Sequence, residues 1–154
     1  MKKAFKIIII VLVVAFIGLQ FFRIDTTAKP AVPGETLEAA VSVPADVSQI
    51  FGRACNDCHT NTTRYPWYTN IQPTAWFMNN HIQDGRRHLN FDIFNTYAAK
   101  KKSQKLEEIC DEVTSKDMPL PSYLWIHGDA VLSQSDITTL CDWVKTEKAK
   151  LPAE

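Results

Sequence analysis

The sequence has no excess of charge of either sign: 17 lysines and arginines stand against 17 aspartates and glutamates in 154 residues. It lacks the basic patch with interleaved aromatics that a phosphate backbone requires, so no nucleic-acid partner is expected. Internal repeats and low-complexity stretches are also missing, which argues against repeat arrays and disordered chains. Alternation of apolar and polar residues at period two is absent as well. No strand is predicted, and an all-α fold is the economical reading. The composition, 45% hydrophobic and 22% charged, is that of a globular chain with one core.

The neutral balance hides an asymmetry. The first 23 residues hold Lys2, Lys3, Lys6 and Arg23 and no acid, which leaves 13 bases against 17 acids in the remainder. Residues 7–22 (IIIIVLVVAFIGLQFF) are apolar except for Gln20. Sixteen helical residues cover about 24 Å, short of the ~30 Å hydrocarbon core, but Ala4 and Phe5 extend the run and Lys6 can snorkel. The exit, FFRIDTTAKP, offers no small-x-small cleavage site and no cysteine for lipidation, which favours an uncleaved anchor over a signal peptide. Residues 1–24 are therefore expected to form a single N-terminal transmembrane helix. The lysines before it would keep the amino terminus in the cytoplasm. This predicts a single-pass protein of the cytoplasmic (inner) membrane with everything after Arg23 in the periplasm.

Residues 25–45, with Pro30, Pro33, Gly34 and Pro44 among small and polar residues, read as a flexible tether. Residues 46–150 carry helical periodicity almost throughout. Val47, Ile50, Phe51 and Ala54 would line one face of a helix beginning after Asp46. Pro73 suits the first turn of a second helix carrying Trp76, Phe77 and His81, with Gly85 as its C-cap. Asp92 and Ser103 are expected N-caps of two further segments, the second carrying Leu106, Ile109, Cys110 and Val113. Ser133 and Asp136 form a capping-box start for a last helix striped by Ile137, Leu140, Cys141 and Val144.

The four cysteines divide into a close pair, Cys55 and Cys58, and two distant singles, Cys110 and Cys141. His59 follows the pair directly. In Cys55-Asn56-Asp57-Cys58-His59, two thiols can add to the two vinyl groups of one haem while the adjacent imidazole reaches the iron from the same side. The rival readings each need something missing: a strand leading into the pair for a thioredoxin-like dithiol, a second close pair for a zinc site. The expected cofactor is one haem c. The candidates for the opposite face of the iron are Met118, His81, His88, His127 and Met78. Met118 is preferred, because Pro119 makes the segment KDMPLP a stiff loop able to present a thioether. His81 is its serious rival. Tyr65, Trp67, Tyr68, Trp76 and Phe77 are candidate walls for a flat macrocycle or ordinary core. Arg86 and Arg87 are candidates to pair with the propionates or are simply solvated. Cys110 and Cys141 invite a disulfide, two buried thiols being the alternative.

The segments CNDCHTNTTRYPWYTNIQPTAW (55–76), GRRHLNF (85–91) and MPLPSY (118–123), with His127, Asp142 and Trp143, resemble the small haem-binding domain family of membrane-anchored bacterial c-type cytochromes. The resemblance covers residues 46–147 and implies that Cys55, Cys58 and His59 hold the haem. The family's Met-Pro segment matches Met118 and Pro119. The expectation is a cytochrome-c-like helical domain around one haem that passes single electrons between redox partner proteins in or at the membrane, to which the N-terminal helix would anchor it. An electron carrier is preferred to an enzyme. The alternatives are a peroxidase-like enzyme with an open distal position and a haem-based sensor or binding module.

Overall fold

The computed structural model describes residues 2–151, and among them there are helices and turns but no strands. The chain runs through α1 (Lys2–Leu19), α2 (Leu37–Ala40), α3 (Ala45–Ala54), α4 (Asn56–His59), α5 (Thr74–His88), α6 (Ala99–Ser115), α7 (Pro121–Leu124) and α8 (Gln134–Lys148). Three 3-10 turns intervene at Trp67–Asn70, Phe91–Thr96 and Gly128–Ala130.

The expected transmembrane helix over residues 1–24 is not found: among the described residues no helix is long and apolar enough to cross a membrane. α1 has 18 residues, and Lys2, Lys3 and Lys6 occupy its beginning. The uncharged stretch from Ile7 to Leu19 covers about 20 Å, against ~30 Å of hydrocarbon. The helix stops short of the run's end because Gln20 turns to the rest of the chain. Its Oε1 accepts from the Gln72 amide at 2.9 Å, and Gln72 Nε2 donates to the Phe22 carbonyl at 2.6 Å. With the helix goes the expected placement as a single-pass protein of the cytoplasmic (inner) membrane with the haem domain in the periplasm. The membrane contact expected through that helix loses its basis too.

α3, α6 and α8 meet around a core of Val47, Ile50 and Phe51 from the first, Leu106, Ile109 and Val113 from the second, and Leu140, Trp143 and Val144 from the third. The Phe51 ring lies 4.9 Å from Phe91 and edge-on to Trp143 at 5.4 Å, geometries that add to the area they bury. α8 starts with a complete capping box between Ser133 and Asp136. Cys110 and Cys141 are joined in a disulfide between α6 and α8, with Cα atoms 4.9 Å apart.

Three expected helix boundaries lie elsewhere. α6 begins at Ala99 rather than after Ser103, since the strong helix formers from Ala99 to Lys102 extend it backwards. The cap before Phe91 is Asn90, whose side chain accepts from the Asp92 amide at 2.9 Å, while the Asp92 carboxylate accepts from the Asn61 amide. α5 runs through Gly85 to His88. The stretch 25–45 is also partly built in: Leu37 and Val41 are buried, and the Asn95 amide donates to the Glu35 carbonyl at 2.7 Å.

Candidate haem site

The α3 stripe carries the chain into the core and releases it at Cys55, whose amide still bonds back to Phe51. The single turn α4 then folds Cys55, Cys58 and His59 onto one wall of a cavity of about 410 Å³, a volume in the range of small-molecule sites. The turn can lie this close to α5 because residue 85 is glycine. A Cβ there would sit 2.8 Å from the Cys58 carbonyl oxygen and 3.1 Å from the Cys58 Cβ. Gly85 is thus a point of close approach inside the helix, not its C-cap.

His59 Nδ1 lies 2.8 Å from the Leu89 carbonyl oxygen. A carbonyl only accepts, so Nδ1 carries the hydrogen and Nε2 keeps its lone pair for a metal. Burial pulls the ring's pKa below the ordinary histidine value, opposed by the Leu89 and Gly85 carbonyls. The imidazole is held neutral, the form that ligates. Cys55 and Cys58 are unbonded. Burial, then the neighbouring Cys58, pushes Cys55 up to about 12; burial, then Asp57, pushes Cys58 up to about 11. Both remain thiols at neutral pH, the opposite of an activated redox dithiol.

A second part of the lining belongs to the segment after α6. Lys116 takes the left-handed conformation (φ 65°), and the amides of Asp117 and Met118 both bond back to the Glu112 carbonyl at 3.0 and 3.1 Å. That cap turns Met118, followed by a cis bond to the buried Pro119, into the same cavity as His59. His81 also reaches the cavity, with Nδ1 donating to the Phe77 carbonyl at 2.8 Å, and so does His88 at its rim. Met78 and His127 do not. They line a separate small void behind Cys58, where His127 Nε2 accepts from the Tyr68 hydroxyl at 3.0 Å.

The expected aromatic walls are displaced. None of Tyr65, Trp67, Tyr68, Trp76 and Phe77 lines the cavity, and Trp67 is 76% exposed. The aromatic lining is Phe51, Phe91 and Tyr123 instead. Phe51 was signalled by the α3 stripe and Phe91 by the segment GRRHLNF, whereas Tyr123 carried no signal beyond its place in MPLPSY. Arg86 is committed elsewhere: its Nε donates to the Thr60 carbonyl at 2.8 Å and its Nη2 to Thr63 Oγ1 at 2.9 Å, fixing the loop after the cysteine pair. Arg87 pairs with Asp84. The Leu89 carbonyl that orients His59 is backbone and leaves no mark in a sequence.

The residues therefore fit a haem: an imidazole with a free Nε2, a thioether from a different segment, and two protonated thiols, all on one cavity large enough to enclose an apolar ligand. Among the described residues no group of three or more His, Cys, Asp or Glu side chains could hold a bare metal ion. No curated protein and no solved structure matches the chain. Residues 14–146 match the family described as "Haem-binding domain", and the chain belongs to that family.

Proposed function

We propose that this haem-binding protein is a c-type cytochrome, with one haem held covalently through Cys55 and Cys58 and its iron ligated by His59 and Met118. It carries single electrons rather than catalysing a reaction. The observation that carries this reading is that two free thiols, one neutral imidazole and one methionine meet on a single cavity.

Attachment needs no oxidant. Each thiol adds its sulfur to one carbon of a vinyl group and its hydrogen to the other, and burial keeps both cysteines in the protonated form. His59 is oriented by Leu89 before any ligand arrives. Met118 favours the reduced iron, because a neutral, soft sulfur stabilises the ferrous state and raises the potential. His81 is the weaker candidate for the second ligand. It stands on α5, the helix whose Gly85 packs on Cys58 and whose C-cap residue Leu89 supplies the carbonyl behind His59, whereas Met118 arrives from a separate segment. Bound haem supplies reversible one-electron cycling between ferric and ferrous iron. The partners are redox proteins that deliver and remove that electron.

The test is optical spectroscopy of the full-length holoprotein beside Met118→Ala, with haem staining after denaturing electrophoresis. The oxidised wild type should show a methionine-to-iron charge-transfer band that the variant lacks. Reduced wild type should bind carbon monoxide slowly; fast binding would favour an open, enzyme-like distal site. Cys55→Ala/Cys58→Ala should lose haem on the gel, and stain retained by that variant would refute covalent attachment.

A further inference from the structure

Asp57 stands between the two cysteines, yet its side chain hydrogen-bonds to neither of them. Its carboxylate, 12% exposed, accepts from Tyr123 Oη at 2.8 Å and from Arg64 Nε at 3.0 Å. Tyr123 is itself buried and lines the haem cavity. It belongs to α7, which follows Met118 after only Pro119 and Leu120, and two prolines leave that stretch little freedom. The phenol is a firm donor: burial, then its bond to Asp57, holds its pKa above the tyrosine range.

The upstream end of the Met118 segment is fixed by the two amides on the Glu112 carbonyl. Its downstream end is fixed by Tyr123. The His127 ring stacks on Tyr123 at 3.9 Å with planes 12° apart and donates from Nδ1 to the Tyr123 carbonyl, while Tyr68 donates to its Nε2. These contacts steady the phenol so that its hydroxyl meets Asp57.

We infer that Tyr123 is a positioning residue which, through Asp57, latches the segment carrying Met118 to the turn carrying Cys55, Cys58 and His59. The latch sets how firmly the Met118 sulfur is held against the iron. This rests on Met118 being the second iron ligand. Without the bond, the two walls are joined there by packing alone, and the sulfur yields more readily to a competing ligand.

The full-length holoprotein and its Tyr123→Phe, Asp57→Ala, double, Arg64→Ala and Met118→Ala variants are reduced and mixed with carbon monoxide, and the charge-transfer band is recorded for the oxidised forms. Loss of one hydrogen bond to a carboxylate predicts carbon monoxide binding faster by about tenfold to a hundredfold in Tyr123→Phe, with a weakened band. Asp57→Ala should match it, and the double variant should be no faster than either, since the Tyr123–Asp57 bond is what both changes delete and Arg64→Ala accounts separately for the bonds of the Arg64 side chain to Asp57. Should Tyr123→Phe not yield holoprotein, Asp57→Ala carries the same test. Arg64→Ala, which leaves the Tyr123 bond in place, should bind at the wild-type rate. A wild-type rate and band in Tyr123→Phe or Asp57→Ala, multiplying effects in the double variant, or an equal rise in Arg64→Ala would overturn the latch. An unchanged spectrum in Met118→Ala would instead remove the ligand assignment on which it rests.

Discussion

The Arg53 guanidinium meets the Asp136 carboxylate at 2.7 Å and so joins the end of α3, two residues before Cys55, to the start of α8. Asp136 also closes the capping box, accepting from the Ser133 amide at 2.8 Å. Arg53 in turn donates to the Asp129 carbonyl at 2.8 Å. One ion pair therefore aligns the helix that leads into the Cys55–His59 turn with the start of α8.

A pH dependence follows. Hydrogen bonds from Arg53, then Ser133, pull the Asp136 pKa from 3.8 down to about 2. A lowered folded-state value means that the stabilisation is complete above the ordinary value and is lost as pH falls through the folded one. Asp136→Asn should be less stable than wild type by about 1 kcal/mol at neutral pH, the scale of a lost cap. The two should converge between pH 4 and pH 2 in denaturant titrations. A gap that stays constant to pH 2 would mean that the carboxylate charge is not what holds these helix ends.

Gly85 gives a prediction against helix propensity. Alanine in a helix interior is ordinarily better than glycine by about 1 kcal/mol. Here the added methyl would meet the Cys58 backbone at 2.8 Å, and neither backbone can move without shifting α4. Gly85→Ala should therefore melt lower than wild type, on the scale of about 1–3 kcal/mol for an overpacked core, and should retain less haem per chain. A variant as stable as wild type and fully loaded with haem would show that α5 does not press on the motif.

These two contacts mark what a sequence can and cannot disclose. The capping box at Ser133 and Asp136 and the stripe from Val47 to Phe51 are local patterns, and both were legible. The Cys-x-x-Cys-His spacing was legible as a pattern of five adjacent residues, and the fold brings Cys55, Cys58 and His59 onto one cavity. Gly85 was misread because a glycine near a helix end signals a cap locally, whereas its reason here is a partner 27 residues upstream. The aromatic run after the motif was misassigned for the same cause: hydrophobicity marks rings as large and apolar but not which side of the cysteine turn they occupy. The apolar run near the amino terminus gave length and polarity but not where the helix would end, and Gln72 decides that from 52 residues away.

The disulfide should matter for the haem as well as for stability, since α6 lines the cavity through Ile109 and Val113 beside Cys110. Cross-linking residues 31 apart removes about 3–4 kcal/mol of chain entropy from the unfolded state. Cys110→Ser/Cys141→Ser should lose about that much in urea titrations, and a reducing agent should bring wild type down to it. Thiol titration of unfolded, unreduced apoprotein should count two reactive cysteines, Cys55 and Cys58. Four would contradict the bridge.

Leu37 tests where the folded domain begins. Its side chain is fully buried in the core cluster that holds Phe94 and Val41, although the surrounding residues have the composition of a tether. Beyond it, the Ser42 carbonyl accepts from Trp143 Nε1 at 2.7 Å and the Ser42 amide donates to the buried Glu147 at 3.2 Å. Leu37→Ala leaves a cavity under the Phe91–Thr96 turn and should cost about 2–5 kcal/mol. Val32→Ala, at a position 53% exposed, should cost almost nothing. Equal stability of Leu37→Ala and wild type in denaturant would place the boundary after Ala40. The expected loss places it before Leu37, so that a fragment starting at Ala45 would expose Trp143 and leave Glu147 without its amide donor.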